Sequence, residues 1–190
     1  PSRRRSSISA GLQTNSILAN AGIEFVCRPA EIDERRRDGE TPPAYVRRLA
    51  RAKAMAVDAG ADEIILGADT EVVVDEHVLG KPSDAADAVR MLRLLSGREH
   101  EVITGICLRT SGRVLVDAET TRVRFLALSE DEITAYAASG EPLDKAGAYA
   151  IQGLASKFID RIEGCYFNVV GLPISLIWRH LKPGVRLNIH

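Results

Sequence analysis

The stretch from Thr41 to Gly67 constrains this chain most, because a helix-period stripe there runs into a short, unbroken apolar run. Thr41-Pro42-Pro43 opens it well. A capping residue type is followed by prolines, whose fixed φ and missing N–H suit a first helical turn. Val46, Leu49, Lys53 and Val57 then share one face at helical spacing, which predicts a helix to about Ala59 with Gly60 as its stop. Glu63-Ile64-Ile65-Leu66-Gly67 reads as a buried strand, with Asp69 just beyond its end.

The rest of the chain extends this alternation. Residues 1–15, rich in Ser and Arg, read as a loop or a frayed end. Residues 16–21 finish a helix stopped by Gly22, residues 23–27 read as a strand, and residues 31–41 are charged and solvated. Val72-Val73-Val74 is a further strand, turned by Asp75-Glu76-His77. Ser83 can cap a helix striped by Val89, Leu92 and Leu95 and ended by Gly97. Residues 100–110 and 113–126 are β-rich and joined by Ser111-Gly112, a hairpin signal. Ser129 with Glu132 forms a capping-box pattern for a helix to about Ser139, which Gly140-Glu141-Pro142 breaks. Residues 158–162 and 165–170 read as strands, and Pro173 starts a last helix through His180. Helices and strands alternate early and antiparallel strands follow. The expected fold class is therefore α/β, with a mixed twisted sheet and flanking helices.

Composition removes several function classes. A net charge of -1 with 5% aromatic residues speaks against a nucleic-acid partner. Cys27, Cys107 and Cys165 form no CxxC pair, so neither a zinc site nor a disulfide framework is suggested. No apolar run approaches the ~20 residues that span a bilayer, and no signal peptide pattern stands out. No membrane partner and a cytoplasmic location are the expectations.

Several residues can carry chemistry. A carboxylate at Asp69, placed after a strand, can hold a divalent metal or take a proton from water; it can equally cap backbone N–H groups. Lys53 interrupts an apolar helix face, so it either snorkels outward or meets a buried anion. Gly80-Lys81-Pro82 fixes a lysine in a tight loop, where it can act as a point charge on a phosphate or stay an ordinary surface residue. His100 has no acidic or nucleophilic partner close in sequence and reads as a strand-start histidine. Residues 145–153 are small and glycine-rich, and the Gln152 amide both donates and accepts, so it can read a base edge. Arg3 and Arg4 can grip phosphate through forked donors or belong to a basic end.

Taken in order, these blocks resemble one family. Gly67-Ala-Asp-Thr70, Gly80-Lys-Pro82, Ser96-Gly97 with His100 and Thr104-Gly105, Glu141-Pro142 with Lys145-Ala-Gly-Ala-Tyr149, Ile151-Gln-Gly153 and Asn168-Val-Val-Gly-Leu-Pro173 look like the successive blocks of Maf proteins. Tyr45-Val46, Arg48-Leu49-Ala50 and Lys53-Ala54 fit the family's helix. The resemblance covers about residues 16 to 180. It implies one Maf-like domain over residues 1–190, with two lobes around a cleft and an inosine-triphosphate-pyrophosphatase-like fold.

The resemblance also implies a metal-dependent pyrophosphatase that cuts nucleoside triphosphates, here of the dTTP/UTP group, into monophosphate and pyrophosphate. The expected cofactor is a divalent cation, Mg²⁺ or Mn²⁺. Asp69 matches the general base, Lys53 and Lys81 the phosphate-contacting lysines, and Thr70 and Gln152 positions tied to substrate choice. Asp69 and Glu31, with Glu34 beside them, are the metal-ligand candidates. A homodimer is expected. The rival reading keeps the nucleotide site but makes the chain a regulator of septum formation.

At the N-terminus, residues 1–5 resemble the family's Ser-x-Ser-Pro-x-Arg loop and residues 17–22 its helix end. About ten residues, 6–15, then read as an insertion. In the gap-free alternative Ser9 matches a family serine, and Gln13 and Thr14 replace arginines.

Overall fold

The computed structural model describes residues 6–9, 12–58, 60 and 62–181, with side chains from residue 15 onward. The elements run β1 (Ser6–Ser9), α1 (Leu12–Asn20), β2 (Phe25–Cys27), α2 (Pro42–Met55), β3 (Ile64–Val74), β4 (His77–Leu79) and α3 (Ala85–Leu95). They continue with β5 (Glu99–Arg109), β6 (Val114–Phe125), α4 (Glu130–Ala138), β7 (Ile159–Glu163), α5 (Tyr166–Val170) and α6 (Ile174–Leu181). The chain divides into two compact units. The first takes residues up to Asp69, Thr104–Glu119 and residues from Gly171; the second takes Thr70–Ile103 and Thr120–Val170. Strands β3, β5 and β6 contribute residues to both.

In the first unit the strand order is β2-β1-β3-β5-β6. Strand β1 is parallel to both neighbours, with Ser7 opposite Val26 on one side and Ile65 on the other. Parallel neighbours need crossover connections, and α1 and α2 supply them. Two glycines let α2 lie directly on the sheet. A Cβ at Gly67 would sit 2.1 Å from the Ala50 carbonyl oxygen, and one at Gly105 would sit 2.3 Å from that of Val46. Ala50, Ala54 and Val57 then pack with Ile65 and Cys107 in a core that excludes water.

In the second unit the order is β3-β5-β6-β7, with β4 also paired to β3. Here pairing is antiparallel: Val73 faces Val78 across β3 and β4, and Val123 faces Ile162 across β6 and β7. Helix α3 packs against α4, and Leu92, Leu95, Ile103, Phe125 and Ile133 are fully buried. The α4 capping box forms as its sequence predicts: Ser129 Oγ accepts from the Glu132 N–H, and Glu132 Oε2 accepts from the Ser129 N–H. The molecule is thus mixed α/β, with parallel and antiparallel pairs and flanking helices.

Five local expectations change. The described residues of the segment 1–15 are not a loop or frayed end, because Ser6–Ser9 forms β1 and α1 starts at Leu12. Parallel partners on both sides overrule the weak strand preference of serine. The apolar runs around Gly67 and Val73 are one strand, β3, and Asp69 lies inside it rather than beyond it. Gly67 serves the close approach of α2, not a strand end. Residues 166–170 form the short helix α5, not a strand. Helix α2 ends at Met55, with Ala56 as its cap, before the expected Ala59. Asp84, not Ser83, caps α3, its side chain accepting from the Asp87 N–H at 2.8 Å.

Candidate active site

The first unit gathers three of the charged residues. Lys53, three turns into α2, sends its ammonium to Asp69 Oδ1 on β3 at 2.5 Å and to Glu34 Oε1 at 3.0 Å. The stripe that predicts α2 also fixes Lys53 on its sheet-facing side, and Gly67 and Gly105 bring that side within reach of β3. The Lys53 side chain keeps 16% exposure and that of Asp69 10%, whereas Glu34 keeps 57%. Burial by itself pulls the Lys53 pKa down. The Asp69 and Glu34 carboxylates outweigh it and raise it above the usual lysine value. Lys53 is therefore a permanent cation at neutral pH.

Glu34 belongs to a segment without regular structure, held in place by α2. The Tyr45 hydroxyl donates to the Glu34 carbonyl at 2.7 Å. Arg48 grips Glu40 with two parallel hydrogen bonds and donates to the Arg35 carbonyl at 3.0 Å. The Arg48 guanidinium holds the Glu40 carboxyl down to about 2. The charged run is thus not uniformly solvated. Glu40 is tied down, while Glu31, Arg36 and Arg37 are exposed. Tyr45 and Arg48 escape a reading of chemistry-bearing residues, although both stand in the family's helix motif.

The second unit holds the other candidates. Thr70 is half-buried on β3, and Lys81 is exposed between Gly80 and Pro82. The loop that carries Lys81 is fixed: the Gly147 N–H donates to the Gly80 carbonyl at 3.0 Å. Gly147 has φ +69°, and a Cβ on it would sit 2.8 Å from Val72 Cγ2, so that position requires glycine. Gln152 is exposed in a turn closed by the Gly153 N–H on the Ala150 carbonyl at 3.0 Å. His100 is buried against Tyr149 and Phe125, which matches a packed histidine with a satisfied ring nitrogen. Arg3 and Arg4 lie outside the described residues. Helix α1, with the sequence LQTNSILAN, carries no basic residue.

Among the described residues, no group of three or more His, Cys, Asp or Glu could hold a metal ion. Asp69 and Glu34 nevertheless offer hard oxygen donors drawn toward one cation, the Lys53 ammonium. Such donors suit Mg²⁺ or Mn²⁺, which commonly takes one or two carboxylates and fills its shell with waters and substrate phosphates.

The model of the Maf family, described as Maf-like protein, matches residues 9–183. The chain belongs to the Maf family. The match begins at Ser9, the last residue of β1, and takes in all of α1. Among this Maf chain's relatives is a dTTP/UTP pyrophosphatase of Koribacter versatilis (strain Ellin345), 49% identical, spanning 92% of this chain and 91% of the relative. A dTTP/UTP pyrophosphatase of Syntrophomonas wolfei subsp. wolfei is 50% identical, spanning 90% of this chain and 92% of the relative. The Ham1 protein of Staphylococcus aureus superposes with a TM-score of 0.51 at 16% identity, covering 94% of this chain and 98% of that one. At that identity the likeness concerns the fold.

Proposed function

We propose that this Maf protein is a nucleoside triphosphate pyrophosphatase that hydrolyses dTTP and UTP to the monophosphate and pyrophosphate. Relatives near 50% identity over about nine-tenths of the chain carry that activity in their names. The observation that carries the reading is the Lys53 ammonium clasped by Asp69 and Glu34.

In this reading Asp69 accepts a proton from the attacking water as the bond between the α- and β-phosphates breaks and pyrophosphate leaves. Lys53 holds Asp69 in place through their ion pair and, with Lys81, offsets the charge that builds on the phosphate oxygens. A divalent cation, Mg²⁺ or Mn²⁺, held by Asp69 with Glu34 or Glu31, supplies Lewis-acid polarisation of phosphate oxygens when bound. Gln152 and Thr70 select the pyrimidine. Helix α1 offers no basic side chain, so Lys53 and Lys81, with Arg3 and Arg4, carry the phosphate recognition in this reading. The reading includes a homodimer in the cytoplasm, which light scattering and fractionation check.

The test is pyrophosphate release from dTTP, UTP, CTP and 7-methyl-GTP with Mg²⁺ or Mn²⁺. Metal-dependent release with dTTP and UTP preferred is the expected result. Tight nucleotide binding without release from any of them overturns the enzyme and favours the septum-regulator reading.

A further inference from the structure

The turn that presents Gln152 is clamped by a residue with no part in the mechanism above. Glu141 stands at the start of the 3-10 turn Glu141–Asp144, three residues beyond the end of α4 and directly after Gly140, whose φ is +79°. One of its carboxylate oxygens, Oε1, accepts from the Tyr136 hydroxyl at 2.8 Å. The other, Oε2, accepts from the Leu154 N–H at 3.1 Å. The Tyr136 hydroxyl in turn accepts from the Ala150 N–H at 3.2 Å. The two sides of the turn that holds Gln152 are therefore tied to one Tyr136–Glu141 pair.

Two further observations show that this is a built arrangement. A Cβ at Gly153 would lie 2.3 Å from Glu141 Oε2, so the carboxylate occupies space that only glycine leaves open. Tyr136 keeps 4% exposure and packs edge-on against Phe158 at 5.6 Å, which fixes the position of its hydroxyl. Burial, then the hydrogen bond to Glu141, pushes its pKa above the usual tyrosine value, so the hydroxyl keeps its proton and remains a donor. Gln152 itself is exposed at the tip.

A flexible amide discriminates bases poorly, because each orientation it samples can pair with a different edge. A rigid turn removes that freedom before the substrate arrives. We infer that Glu141, held by Tyr136, is a positioning residue for Gln152 and sets how sharply the protein discriminates a pyrimidine from a purine nucleotide. This rests on the proposed role of Gln152 in base selection. Neither Glu141 nor Tyr136 need touch substrate.

The test is a double-mutant cycle of Glu141→Ala and Gln152→Ala, read as the ratio of kcat/KM for dTTP over dATP. Each single variant is expected to lower that ratio about tenfold, mainly through KM, the loss of one well-placed hydrogen bond. The double variant is expected to fall no further than Gln152→Ala, since residues that act through one another are not additive. Tyr136→Phe keeps the ring and removes only the hydroxyl, so it carries the cycle if Glu141→Ala does not fold. Additive losses, or an unchanged ratio with lower kcat, overturn the inference while leaving the pyrophosphatase intact. If the wild type releases no pyrophosphate, the proposed activity fails, and the same cycle is read by dTTP binding calorimetry. Loss of dTTP affinity in Glu141→Ala that vanishes in the Gln152→Ala background keeps the inference. No dTTP binding by the wild type overturns both.

Discussion

The Lys53 cluster of the first unit and the His100–Tyr149 pair of the second are both polar groups withdrawn from water, but they are built by opposite rules. Lys53 keeps its charge because two carboxylates compensate it, and one of these, Glu34, remains more than half exposed. His100 keeps 2% exposure, meets Tyr149 Oη through Nε2 at 2.8 Å, and stacks edge-on with Phe125 and Tyr149. No charge compensates it there. Burial lowers its pKa to about 4 and raises that of Tyr149, so both groups stay neutral at pH 7. Buried charge is tolerated only with a partner. The difference teaches where a charged ligand is to be met: Lys53 is paired with a carboxylate, Glu34, that is open to solvent, whereas His100 is sealed among rings.

The largest effect is expected at Asp69. Asp69→Asn removes the proposed base and should lower turnover about a thousandfold, the range of general-base catalysis. Lys53 retains Glu34, so the circular dichroism spectrum should be unchanged. Near-wild-type pyrophosphate release from this variant would sink the role assigned to Asp69 and, with it, the contrast between the two centres. The next effect falls on His100 and is a loss of stability in acid. Its folded pKa of about 4 lies below the unfolded value of about 6.5. Above pH 6.5 both states are neutral and nothing is lost. As pH falls from 6.5 through 4 the unfolded chain takes up a proton that the native chain refuses, so stability drops by roughly 3 kcal/mol in total. His100→Gln should flatten the slope between pH 6.5 and 5 in urea unfolding. An equal slope in both proteins would mean that His100 is not held neutral.

These two centres were unequally legible. Lys53 stood out because a cation breaks an apolar stripe, and the stripe is a local signal. Its partners were harder. Asp69 could be singled out, but its place inside β3 could not, since Gly67 reads as a strand end until the Ala50 carbonyl is seen against it. Glu34 was one acidic residue among several in a charged run, and only the Tyr45 and Arg48 anchors distinguish it. The His100 pair was not legible, because its partner lies 49 residues away in sequence. Helix α5 reads as a strand in the sequence for the same reason. Val169 and Val170 favour a strand locally. Yet the Asn168 side chain donates to the Val102 carbonyl at 2.9 Å and to Thr121 Oγ1 at 3.0 Å, long-range bonds that pin a helical turn. The capping box of α4 and the stops at Gly97 and Gly140 are legible, since their physics is contained within a few residues.

A smaller effect probes how the Lys53 cluster is positioned. Gly105→Ala places a methyl group against the Val46 carbonyl, where backbone must move. Overpacking of this kind costs about 2 kcal/mol. Because α2 carries Lys53, turnover should fall as well as stability, which a melting curve and a kinetic assay together detect. Full activity with lowered stability would mean that the approach of α2 to β5 is not what sets Lys53.

The smallest effect is expected at Tyr149. Tyr149→Phe keeps the ring contacts with His100 and Phe125 and removes only the hydroxyl. His100 Nδ1 already has no hydrogen-bond partner among the described residues, so the change leaves the imidazole with neither nitrogen bonded there. An unmade buried hydrogen bond costs about 1–2 kcal/mol, seen as a lower urea midpoint at pH 7 with an unchanged slope. Turnover should stay the same, because the pair serves packing. A variant that keeps its stability but loses dTTP hydrolysis would reverse the comparison, making the sealed pair the functional one and leaving the Lys53 cluster as its structural counterpart.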